Sequence, residues 1–144
     1  MYKKILVPLD GSQLAEAALP HAEAIAKSEG AEIILLRIPM IPATEFFARE
    51  PSIAVKVQQE EEAEAVDYIN AKMNDLKKDH IKVTAITQVG SVPDTILAVA
   101  DETHAEMIAM STHGRTGVQR WLMGSVADKV VHYAHIPVML IHPN

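Results

Sequence analysis

The sequence predicts an α/β protein: an open five-stranded parallel sheet with helices on both faces. Three observations carry this. Strand-like runs alternate with helix-period stretches in the order β-α-β-α-β-α-β-α-β, and such an alternation packs as a parallel sheet with right-handed crossovers. The second run, Ile33 to Leu36, is apolar at every position, as strands covered by helices on both sides are. A glycine-bearing connection at 111–125 joins a strand to a helix and is longer than most such loops, which marks it as functional.

Composition bounds the rest. At 144 residues, one domain with a substantial core is expected. A hydrophobic fraction of 49% and a charged fraction of 22% are those of an ordinary globular chain, not a disordered one. The net charge of −6 argues against nucleic acid as a partner, because a phosphate backbone calls for a basic face. The absence of cysteine excludes disulfides and thiol chemistry. No apolar run nears the roughly 20 residues of a membrane span. The N-terminus enters a strand without the apolar core and cleavage site of a signal peptide, so the expectation is a cytoplasmic protein with no membrane partner.

Taken in order, the first strand spans 3–9 and leads into Asp10-Gly-Ser12, a turn and helix-cap signal. Ser12 is a candidate cap for a helix running to about residue 28, with Gly30 ending it. Pro20 lies inside that span, where it either kinks the helix or marks its true start; the kinked helix is the expectation. The second strand covers 31–38. The stretch 39–51, with Pro39, Pro42, Phe46 and Phe47, shows no period and reads as a loop placed to cover a site. A long helix over 52–78 follows, with Val66, Ile69, Met73 and Leu76 on its apolar face. Its acidic stretch 58–64 reads as a solvated face, not a metal site.

Residues 81–89 alternate and are β-branched, predicting an edge or half-exposed strand. Gly90-Ser-Val-Pro-Asp94 opens a helix over 92–103, and 106–111 is the fourth strand. After the glycine loop, a helix over 126–134 places Val126, Val130, Val131 and Ala134 on its inner face. The last strand covers 136–142, with Pro137 suited to a strand start or edge. His132, His135 and His142 cluster there, but no carboxylate or cysteine completes a metal ligand set.

The loop is built like a phosphate cradle. Gly114, Gly117 and Gly124 permit close backbone approaches that a Cβ forbids. Ser125 sits where the helix begins, so the N–H groups of Gly124, Ser125 and Val126 are candidates to face an anion. Arg115 and Arg120 add positive charge within reach, or are solvated surface charges. The loop has neither the Gly-x4-Gly-Lys-[Ser/Thr] of a P-loop nor the Gly-x-Gly-x-x-Gly of a dinucleotide fold. Trp121, Leu122 and Met123 form an apolar patch whose reading is packing first and a partner surface second.

The spacing resembles that of the universal stress protein family, whose nucleotide-binding members carry Gly-x2-Gly-x9-Gly-[Ser/Thr]. Gly114, nine intervening residues and Gly124-Ser125 match it. Ser111 replaces the first glycine, with a hydroxyl able to donate to a phosphate. The resemblance extends to Lys3-Lys-Ile-Leu-Val-Pro8 with Asp10-Gly-Ser12, to Gly90-Ser-Val-Pro93, to Gly124-Ser-Val-Ala127 and to Ile136-Pro-Val-Met-Leu-Ile141. It implies a Rossmann-like sheet in the order 3-2-1-4-5, whose switch point brings the loop after strand 1 beside the glycine loop.

The resemblance also implies site roles. Asp10 matches the aspartate that contacts the adenosine part of a ligand; its alternative role is a turn carboxylate. Ile38 matches the position whose backbone meets the adenine ring, and Pro8 and Leu9 line the base pocket. Gly114, Gly124 and Ser125 bind phosphate, with Met110, Ser111, Thr112 and Val126 lining the pocket. His113 is either a phosphate contact or a structural hydrogen-bonder. Arg115 and Gly117 belong to the same loop. No metal ligand or catalytic residue is assigned.

The family further implies a cytoplasmic homodimer, often paired through the last strand, here 136–142. An exposed apolar edge strand gives that pairing a physical motive. Three functions stand side by side. One is an ATP-binding regulatory module in stress responses, with Mg²⁺ as the nucleotide's companion. A second is a slow ATPase or phosphoryl-transfer enzyme, for which positioning and charge neutralisation are the chief needs. The third is a dimeric scaffold that binds no nucleotide.

Overall fold

The computed structural model describes residues 1–39, 50–114 and 123–143. Strands β1 (Lys4–Leu9), β2 (Glu32–Arg37), β3 (Val83–Thr87), β4 (Met107–Ser111) and β5 (Val138–Ile141) form one sheet in the order β3-β2-β1-β4-β5. Every pairing is parallel. Five helices occur among the described residues: α1 (Gln13–Glu16), α2 (Leu19–Glu29), α3 (Pro51–Lys78), α4 (Val92–Glu102) and α5 (Ser125–Tyr133). The strand order reverses between β1 and β4, so a crevice opens beyond their carboxyl ends.

Strand alternation divides the core in two. Ile5, Val7, Leu9, Ile33 and Leu35 face α1, α2 and α3 and pack against Ala15, Ala22, Ile69 and Leu76. Leu6, Ile34, Leu36, Ile108 and Met110 face the other way, against Ile96 and Val99 of α4 and Ala127 and Val130 of α5. Each fully buried aliphatic side chain contributes about 1.5–3 kcal/mol. β3 and β5 are the edges, which explains the alternating, half-exposed sequence of β3.

Three expectations need correction. Pro20 does not kink one long helix. The chain breaks after Glu16, tight turns return Ala17 N–H to Leu14 O and Ala18 N–H to Ala15 O, and α2 starts with Pro20 in its first turn. A proline lacks the N–H that a helix interior requires, but the first turn has no use for it. On α5, Val131 is 42% exposed while Ala127 is buried, because the sheet-facing stripe runs through Ala127 and Val130. On α3, Val66 is 41% exposed and its neighbour Ala65 is buried for the same reason.

Three helix-to-strand turns share one device, a residue in the left-handed conformation. These are Gly30 after α2 (φ 68°), His80 after α3 (φ 62°) and His104 after α4 (φ 57°). The next residue enters the core each time, and Ala31 and Ala105 return N–H bonds to Ala26 and Ala100.

Candidate functional site

The first wall of the crevice grows out of β1. Asp10 Oδ1 accepts from the Ser12 N–H (2.9 Å) and the Ser12 hydroxyl (2.5 Å), closing a side-chain turn. The Ser12 hydroxyl oxygen in turn accepts from the Ala15 N–H at 3.2 Å and caps α1. The turn role proposed for Asp10 is therefore filled by Oδ1, while Oδ2 faces Gly114 across the crevice.

The second wall grows out of β4. Ser111 and Thr112 are buried, and Thr112 N–H donates to Ile141 O at 2.9 Å, extending the β4–β5 ladder by one bond. The Ser111 hydroxyl accepts from the His113 N–H (3.3 Å), so its first use is to shape the loop. Thr112 Oγ1 contacts Nδ1 of His113 (3.0 Å) and Nδ1 of His142 (3.4 Å), tying the loop to the end of β5.

Residues 115–122 lie outside the described residues, and with them the predicted Arg115, Gly117, Arg120, Trp121 and Leu122. The covering loop predicted around Phe46 and Phe47 lies outside them too. The chain rejoins the site at Gly124, whose N–H donates to Thr112 O at 2.8 Å. That bond corrects one expectation: the Gly124 N–H is engaged and cannot face an anion. α5 has no side-chain cap, and its first helical bond is Asp128 N–H to Gly124 O. The N–H groups of Ser125, Val126 and Ala127 are thus the ones an α5 anion site would use.

Both glycines are set by contacts within the chain. A Cβ on Gly114 would run into Asp10 Oδ2, and one on Gly124 would stand 2.8 Å from Thr112 O. The loop after β4 therefore lies directly against the Asp10 side chain of the loop after β1, and the start of α5 against the Thr112 backbone.

The cavity between these walls has a volume of about 320 Å³, at the small end of the range of roughly 300–1,000 Å³ for ligand sites. Every described residue predicted for the site lines it. Pro8, Leu9 and Asp10 come from the β1 end and Ile38 from the β2 end. Met110, Ser111, Thr112, His113 and Gly114 come from β4 and its loop, and Gly124, Ser125 and Val126 from the start of α5. Ile38 is also core, only 5% exposed.

The sequence reading missed Val92 and Ile96 of α4, which add an apolar wall, and Arg37. The i, i+4 spacing of Val92 and Ile96 gave a buried face but not which end of the sheet it reached. Arg37 is fully buried, and Nη2 pairs with Glu64 Oε2 of α3 at 3.0 Å. Among the described residues no group of three or more metal-ligating side chains occurs. The His132 ring packs edge-on against Tyr133, with centroids 4.7 Å apart. No helix among the described residues is long and apolar enough to cross a membrane.

The universal stress protein family model matches residues 1–142. The chain belongs to the universal stress protein family. Two relatives of this universal stress protein come from Methanocaldococcus jannaschii. MJ0531 is 31% identical over 143 residues, covering 98% of this chain and 82% of the relative. MJ0577 is 31% identical over 154 residues, covering 98% of this chain and 95% of the relative. The solved structure of MJ0577 superposes with a TM-score of 0.87 over 100% of this chain and 98% of that one. Two more distant structures share the fold. One is a universal stress protein in complex with cAMP (TM-score 0.66, 23% identity, 99% and 98% coverage). The other is an Arabidopsis thaliana family protein with AMP bound (TM-score 0.70, 20% identity, 99% and 92% coverage). This chain's Rossmann-like sheet has the order 3-2-1-4-5, and these structures share its fold.

Proposed function

We propose that this universal stress protein binds an adenine nucleotide in the crevice between β1 and β4. ATP is the first candidate, with Mg²⁺ as its companion. The bound nucleotide sets the state of a regulatory module in a stress response. The observation that carries the reading is the start of α5: it is anchored through Gly124 to Thr112 and leaves three N–H groups beside the cavity of about 320 Å³.

In this reading the phosphates lie at the N–H groups of Ser125, Val126 and Ala127. Asp10 takes the ribose, and the base rests against Pro8, Leu9 and the Ile38 backbone, with Val92 and Ile96 as its apolar floor. Mg²⁺ would balance phosphate charge on the open side, since the described walls offer one cation, Arg37, already paired with Glu64. The cAMP and AMP complexes of the distant fold relatives are those proteins' own; here the site chemistry supports the proposal.

The working form proposed is a cytoplasmic, single-domain homodimer joined through β5, an edge strand with Val138, Met139 and Leu140 half-exposed. The test is to denature freshly purified protein, chromatograph what it releases, and titrate the stripped protein with ATP and Mg²⁺. Near-stoichiometric ATP or ADP, or saturable binding lost in Gly124→Asp, is expected. Neither release nor binding would leave a scaffold that holds no nucleotide.

A further inference from the structure

A cluster of charged and aromatic side chains runs from Arg37, which lines the crevice, back into α3 and α1, and it has no role in that reading beyond the Arg37–Glu64 pair. Arg37 ends β2 and is fully buried. Its Nη1 donates to the Ile38 carbonyl (3.3 Å) and its Nη2 to Glu64 Oε2 (3.0 Å). Its Nε has no hydrogen-bond partner among the described residues. The guanidinium lies 5.6 Å from the centroid of the Tyr68 ring on α3, and Lys72 Nζ lies 5.7 Å from that centroid. The Tyr68 hydroxyl donates to Glu16 Oε2 (2.6 Å), and Lys72 donates to Glu16 Oε1 (2.7 Å). Glu16 closes α1, and its own N–H donates to the Ser12 carbonyl at 3.3 Å. Ser12 in turn holds Asp10.

A continuous path of contacts therefore runs from the Ile38 wall to the Asp10 wall by way of α3. Stability alone does not account for it. A buried arginine has a desolvation penalty of several kcal/mol, and an apolar side chain of similar volume often serves a core equally well. Its neighbours Ile33 to Leu36 are all aliphatic. What the arginine supplies that an isoleucine would not is a directed contact to Ile38 O on one side and to α3 on the other.

We propose that Arg37, Tyr68 and Glu16 are positioning residues: a brace that fixes the separation of the Ile38 and Asp10 walls and so sets the grip on the nucleoside half of the ligand. This rests on the nucleotide reading above. Among the described residues, no hydrogen bond of the brace reaches Thr112 or the start of α5, so its effect should fall on the nucleoside end of the crevice.

The test compares ATP, adenosine and inorganic triphosphate by calorimetry on the full chain and on Tyr68→Phe, Arg37→Met and Glu16→Gln. Tyr68→Phe keeps the ring under Arg37 and removes only the hydroxyl. The expected loss is roughly three- to tenfold for both ATP and adenosine, the scale of one net hydrogen bond, with triphosphate unchanged. Glu16→Gln, which can still accept from Tyr68, should bind nearly as the parent does. Should Arg37→Met fail to fold, Tyr68→Phe decides. Unchanged nucleoside affinity in Tyr68→Phe overturns the brace, as does an equal loss for triphosphate, which would mean general loosening. A loss in Arg37→Met alone also overturns it, in favour of direct contact by Arg37. A parent chain that binds none of the three ligands overturns the nucleotide reading and the brace together.

Discussion

Gly114 lies against the carboxylate of Asp10, with no room between them for a Cβ. The two residues are 104 positions apart in sequence, on the loops after β4 and β1, and they meet because the strand order places those strands side by side. The carboxylate cannot simply swing away, since its other oxygen is held twice by Ser12. The glycine is thus required by the partner loop itself.

Gly114→Ala should therefore destabilise the protein by about 1–3 kcal/mol, the usual cost of overpacking. Most of that should vanish in an Asp10→Ala background, because the two sites share one contact. Urea denaturation of the four proteins measures it. An equal cost in both backgrounds would show that something other than Asp10 constrains Gly114.

His80 and His104 occupy left-handed backbone where a Cβ is unfavourable, and both are exposed. His80→Gly and His104→Gly should each raise stability by roughly 0.5–1 kcal/mol, the left-handed penalty less the extra entropy of an unfolded glycine. Gly30→His should do the reverse. Thermal melts that fall in the first two variants would mean the imidazoles make contacts that outweigh the strain.

Burial raises the Tyr68 phenol above the ordinary tyrosine range, and its hydrogen bond to Glu16 pushes the same way, with Arg37 opposing. The folded protein then holds this proton at pH values where the unfolded chain releases it. The contribution is fully present below about pH 10 and is lost as pH rises beyond it. Stability should decline more steeply above about pH 10 in the parent than in Tyr68→Phe. Parallel declines in denaturant midpoints from pH 9 to 11 would contradict this.

The β4–β5 register directs the carbonyls of Pro137 and Ile141 towards β4. By strand alternation the N–H groups of Val138 and Leu140 point outward, free to pair with another strand. Leu140→Pro removes one such donor without breaking a bond to β4, and it should turn the proposed dimer into a monomer. Sedimentation velocity checks this, with circular dichroism as the control for folding. A folded variant that remains a dimer would move the interface away from β5.

Much of the site was legible from local chemistry. The Asp10-Gly-Ser12 turn, the Gly124-Ser125 helix start and the apolar run at Ile33 to Leu36 each follow from what those side chains do to their own backbone. What misled was fine geometry within elements. Val131 and Val66 have the right period but each lies one residue, about 100°, past a buried position (Val130 and Ala65), while Ala127 and Ala65 lie on the buried stripe. Pro20 suited two readings, and the tight turns at Ala17 and Ala18 chose between them.

The sequence by itself determined the alternation of strands and helices, the glycine loop and its family, because these depend on residues near one another in the chain. Only the tertiary structure decided that Gly114 abuts Asp10, that the Gly124 N–H is taken by Thr112, and that a buried arginine links Ile38 through Tyr68 to Glu16. Those contacts join residues up to 104 positions apart. No local propensity encodes them; they arise from the sheet order and register, which the two cores settle jointly.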